Sequence, residues 1–75
     1  MSDNMRNVIK NVDYLRNQRK WTLEETAEKA DMPFPTLNAV MYGNSKTIML
    51  STIERLARAF GITVAEMLVE QNGAV

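Results

Sequence analysis

Apolar residues recur along this chain every three or four positions, and nowhere do they alternate with period two. That spacing predicts helices and no strands. Met5, Val8, Ile9, Val12 and Leu15 form the first such stripe, so a helix is expected from Asn4 to Lys20, with Asp3 or Asn4 as its cap. Thr22 follows, with Glu25 three places on, the spacing of a capping box. The second stripe is Leu23, Thr26, Ala27 and Ala30, and Asp31-Met32-Pro33 is its turn. A third helix is expected from about Phe34 to Tyr42, apolar at Leu37, Val40 and Met41 and stopped by Gly43. Small Ala27 would let the third helix cross the second closely.

After Gly43 the segment Asn44 to Leu50 is polar at first and then apolar. Ser51 and Glu54 have capping-box spacing and would start a fourth helix, striped by Ile53, Leu56, Ala57 and Phe60, with Arg55 and Arg58 outward. Gly61 is placed as a left-handed stop and Ile62 for the apolar contact that accompanies it. Thr63 and Glu66 make a further box, with Ile62 and Met67 as a hydrophobic staple around it. The last helix, Val64 to about Glu70, should bury Val64 and Leu68, leaving 71–75 as a frayed tail. The expectation is an all-α, compact five-helix domain spanning 1–75, with its core in 4–70. Residues 22–43 form a helix-turn-helix, whose second helix is shaped to lie in a DNA groove.

Composition narrows the chemistry. The 75 residues contain no His and no Cys, which removes disulfides, the commonest zinc ligands and the usual nucleophile–base pairs. No glycine-rich phosphate loop is present, and so small a helical domain encloses little pocket, so neither an enzyme nor a cofactor is expected. No apolar run has the length of a membrane span or signal core, which makes the cytoplasm the default location. Nine basic and nine acidic residues balance to a formal charge of zero, an unusual balance for a nucleic-acid binder. Charge distribution matters more than its sum.

The chain resembles the lambda-repressor-like helix-turn-helix family, which includes Cro-type and xenobiotic-response-element-type regulators. The matching residues are Leu15-Arg16, the run Trp21 to Ala30, Leu37, Val40, Gly43, the run Ile53 to Ile62, and Val64 to Leu68. They depart from the family pattern at Leu23, where a Gln usually touches the DNA backbone, and at Asp31, where the turn usually has Gly. Met41 replaces a Glu that often pairs with the helix 1 arginine, so Arg16 must be exposed, paired otherwise, or offered to a phosphate.

The resemblance places the base-reading positions on Pro33, Phe34, Pro35, Asn38 and Ala39. Asn38 alone among these can make a bidentate contact, and its geometry suits adenine. Phe34 and Ala39 fit a thymine methyl, and Thr36 offers a hydroxyl to base or phosphate. No Arg or Lys lies within 34–42, so A·T-rich half-sites are expected. Phe34 and Pro35 also have a purely structural reading, the ring folded over the core and the proline presetting the helix. Phosphate-contact candidates are Arg16, Thr22, Leu23, Tyr42, Asn44 and Lys46, while Arg19, Lys20 and Lys29 read as solvated face. Trp21 reads as a packing residue at the corner of the first two helices.

So few cations per subunit imply weak binding by one domain, which a homodimer on a palindromic operator would repair. Interface candidates are Ile48, Met49, Met67 and Val69, with core or loop packing as the alternative. The function expected is a sequence-specific transcriptional regulator, a repressor on double-stranded DNA. The alternative is a protein-interaction module or antitoxin-like partner with weak or no DNA binding.

Overall fold

The computed structural model describes residues 3–43 and 48–69. Five helices follow one another: α1 Asp3–Arg19, α2 Leu23–Lys29, α3 Phe34–Tyr42, α4 Leu50–Phe60 and α5 Val64–Leu68. Against α1 lie α5 and α4, while α2 pairs with α3 and α4 with α5. One apolar cluster runs through all five, and Val8, Val12, Leu37, Leu56 and Met67 have no exposure at all.

The starts of α2 and α5 are built as the sequence predicts. Thr22 Oγ1 accepts from Glu25 N at 3.1 Å while Glu25 Oε1 accepts from Thr22 N at 2.9 Å. Thr63 and Glu66 repeat this at 3.0 and 2.9 Å. Ser51 and Glu54 do not. Helix α4 begins earlier, with Met49 as N-cap and no side-chain cap, because the Met49 carbonyl already accepts from Thr52 and Ile53 at 3.0 and 3.1 Å. Ser51 therefore lies inside the helix, where Ser-x-x-Glu spacing has no capping role.

Three helices end in the same way. In α1, α2 and α4 the residue after the last turn is left-handed: Lys20 (φ 57), Asp31 (φ 57) and Gly61 (φ 71). The next N–H in each case reaches back five residues, from Trp21 to Arg16, Met32 to Ala27 and Ile62 to Ala57, at 2.9–3.0 Å. This is the Schellman closure, and glycine occupies only one of the three positions. Asp31 thus takes the conformation its turn demands without being glycine.

Gly43 is needed for a different reason. Its backbone is extended (φ −80, ψ 175), but an added Cβ would sit 2.5 Å from the Ala39 carbonyl oxygen. That oxygen also accepts the Gly43 N–H at 2.8 Å, so the backbone cannot yield without loosening the end of α3. Gly43→Ala is expected to lower stability by about 1 kcal/mol or more, seen as a melting-point drop of several degrees. An unchanged melting point would refute the steric argument.

The stripes of α2, α3 and α4 face inward as predicted, with Thr26, Ala27, Ala30, Leu37, Met41, Ile53, Leu56, Ala57 and Phe60 buried. Helix α5 is rotated from expectation and ends at Leu68. Its buried residue is Met67, at 0 % exposure, while Val64 and Leu68 are half-buried. Two polar residues of α1 hold it. Asn11, itself 0 % exposed, donates through Nδ2 to the carbonyls of Met67 at 2.9 Å and Val69 at 2.7 Å. Asn7 Nδ2 donates to Leu68 O at 3.1 Å. These amides satisfy the carbonyls that a helix end leaves without intrahelical partners.

Candidate nucleic-acid interface

The side of α3 turned from the core carries Pro33, Phe34, Pro35, Thr36, Asn38 and Ala39, all exposed. Leu37 and Met41 anchor the opposite side, at 0 % and 7 % exposure, and Val40 is half-buried. Every base-contact candidate therefore faces outward, and the ring of Phe34 does not fold fully over the core (38 % exposed). Tyr42 continues this surface at 64 % exposure. The orientation follows from 3.6-residue periodicity: with Leu37 and Met41 inward, Asn38 and Ala39 must point away.

The proposed phosphate ring is thinner than the sequence implies. Leu23 is half-buried and packs its side chain against the core. Thr22 is exposed, with its Oγ1 and N–H engaged in the capping box. Arg16 is paired otherwise: Nη2 meets Asp13 Oδ1 at 3.0 Å, and Nη1 donates to Trp21 O at 3.2 Å. Its side chain is 19 % exposed and its buried Nε finds no partner among the described residues. Where the family glutamate would stand, Met41 is buried, and the guanidinium braces the α1–α2 corner instead. Asn44 and Lys46 lie outside the described residues, as does the 71–75 tail.

Arg19 and Lys29 do more than face solvent. The Arg19 guanidinium stands 5.4 Å from the Trp21 ring centre and 5.2 Å from that of Phe60, and its Nη2 donates to Phe60 O at 3.0 Å. Lys29 Nζ lies 5.6 Å from the Trp21 ring. Trp21 itself stacks on Phe60 at 5.4 Å and 22°, the packing role expected of it. Arg55 Nη1 donates to the Asp31 carbonyl at 2.8 Å and approaches its carboxylate at 3.2 Å, which ties the turn before α3 to α4. This pair is open to water and adds little stability.

The geometry is that of a short helix packed on the core through Leu37 and Met41 after a left-handed turn, with its outward residues exposed. A helix-turn-helix family model matches residues 12–67. The chain belongs to the lambda-repressor-like helix-turn-helix family. No curated protein and no solved structure matches it significantly. The family is one of DNA-binding transcriptional regulators and not a family of enzymes. Among the described residues no helix is long and apolar enough to cross a membrane.

The four dimer-interface candidates separate on the structure. Met49 and Val69 are exposed (73 % and 51 %), while Ile48 is half-buried and packed on the core. Met67 is fully buried and cannot meet a partner. The short α5 turns this residue toward α1, where the core needs a long apolar side chain. Leu50, 62 % exposed beside Met49, was missed because the expected start of α4 left it in the connection.

Proposed function

We propose that this helix-turn-helix protein is a cytoplasmic repressor that occupies a palindromic operator as a homodimer of single-domain chains. Asn38 carries the proposal: it is exposed on the outward side of α3 and can pair bidentately with adenine. With no cation on α3, A·T-rich half-sites are the favoured targets. Thr36, Ala39 and the turn residues Pro33 to Pro35 border Asn38 on the same surface. Backbone phosphates fall to Lys46, Asn44, Tyr42 and the Thr22–Leu23 start of α2, with Arg16 largely committed to its own corner. Exposed Met49 and Val69, joined by Leu50 and flanked by Ile48, supply apolar surface for the second subunit.

Selection of bound sequences from a random duplex pool tests the whole reading. Two inverted A·T-rich half-sites about one helical turn apart are expected. Enrichment of a lone half-site would remove the dimer, and no binding even at low salt would remove the repressor. On the selected site, Asn38→Ala should relax preference at one base pair, at a cost of roughly 1–3 kcal/mol. Lys46→Ala should weaken all sequences alike. Equal, sequence-independent losses from both changes would show that Asn38 is not a reader.

A second reading is favoured by one observation. Residues 22–43 contain Glu24, Glu25, Glu28 and Asp31 but only one cation, Lys29. Such a surface repels phosphate and suits a protein partner, as in an antitoxin-like module. Loss of binding that no lowering of salt restores would select this reading.

A further inference from the structure

The first turn of α3 is poor in hydrogen-bond donors, with the Thr36 hydroxyl as its one side-chain donor. Pro33 and Pro35 have no N–H, and Thr36 and Leu37 both donate theirs to the Pro33 carbonyl, at 3.1 and 3.3 Å. Phe34 has the only other N–H in this turn, and no side chain caps the helix. Yet Pro33, Phe34, Pro35 and Ala39 are all exposed. Beside the Thr36 hydroxyl and Asn38, the helix thus presents to its groove proline rings, a phenyl ring and a methyl group.

The major groove has one apolar feature that such a surface can meet. Base edges there display acceptors and amino donors, which lose hydration without compensation against a proline or phenyl ring. The exception is the 5-methyl group of thymine. 5-Methylcytosine places the same methyl at the same ring position, and its neighbouring amino group differs from the thymine O4 only in hydrogen bonding. The rings of Phe34 and Pro35 carry no hydrogen-bonding group with which to tell those two apart, and the Thr36 hydroxyl can donate to the one or accept from the other. We infer that Phe34, with Pro35 next to it in the first turn, reads the pyrimidine 5-methyl group itself. Thymine and 5-methylcytosine then form one preferred class, and uracil and unmodified cytosine the other.

The inference rests on the DNA reading above and deepens it: cytosine methylation becomes a signal that the protein detects. Asn38 remains the adenine reader, so the two halves of the surface recognise different chemistry.

The test uses the full chain on the duplex selected from the random pool. Replacing thymine by uracil beneath Phe34 changes nothing but the methyl group. Each replacement should weaken binding about fourfold, the ratio that one buried methyl group is worth. Where cytosine is placed at such a position, its 5-methylation should restore about the same factor. Phe34→Ala should bring both ratios close to one, and Asn38→Ala should leave them standing, with helix content followed by circular dichroism for both variants. Equal binding of thymine and uracil duplexes, or a ratio that Phe34→Ala leaves intact, would overturn the inference while DNA binding stood. Failure to bind any duplex at low salt would overturn both.

Discussion

Replacing Asn11 by aspartate is expected to destabilise the protein by at least ~3 kcal/mol at neutral pH. The amide is fully buried and its Nδ2 donates to the last carbonyls of α5. An aspartate carboxylate has no proton to give them, and it would set a negative charge against carbonyl oxygens in a place water does not reach. Both burial and the facing carbonyls would raise the aspartate pKa in the folded state above its unfolded value. A raised carboxyl pKa means the folded state holds its proton more tightly. The penalty is therefore smallest below the unfolded pKa, near 3.9, and grows as pH rises above it. Denaturant unfolding of Asn11→Asp and the parent at pH 4 and pH 7 reads this directly. A stability difference independent of pH would mean that the side chain at position 11 reaches water and does not hold the α5 carbonyls.

Leu37→Ala should cost roughly 2–5 kcal/mol, the range for a buried leucine cut back to alanine. For 75 residues the entire folding free energy is about 4–11 kcal/mol, so the variant would sit close to unfolding. The expected melting-point drop is roughly 10–25 °C. Leu37 has no exposure and anchors α3 between Asn38 and the core. DNA binding at low temperature should therefore weaken through partial unfolding, and excess operator DNA should recover both binding and melting point by linkage. A drop of under about 1 kcal/mol would show that the surrounding helices close over the lost volume.

Much of this architecture was legible because its determinants are local. Thr22 with Glu25, and Thr63 with Glu66, are complete instructions within four residues. The inward faces of α2, α3 and α4 follow from a period that two or more turns repeat. Helix α5 defeated the same reasoning: five residues span less than two turns, so the apolar pattern left its rotation open, and contact with α1 put Met67 inside. Ser51–Glu54 failed because that spacing also occurs within helices, and the carbonyl of Met49 had already started one. Asn11 escaped notice because hydrophobic patterning treats an amide as a surface residue. Its place beside Val8, Val12 and Leu15 was the available signal. In the candidate site, periodicity was enough to turn Asn38 and Ala39 outward. The fate of Arg16 was not readable, because its partners are a backbone carbonyl at the corner and Asp13 on its own helix, neither of which a family pattern specifies.

The amide latch between α1 and α5 has a consequence for the order in which the protein assembles. Its bonds join residues 56 to 61 positions apart, so nearly the whole described chain must be looped before they can form. The α2–α3 pair needs no such loop. Closure entropy therefore makes the latch a late event in folding and an early one in unfolding. Helix α3 belongs to the part that closure entropy lets assemble early, and the two ends of the fold set how long it stays assembled.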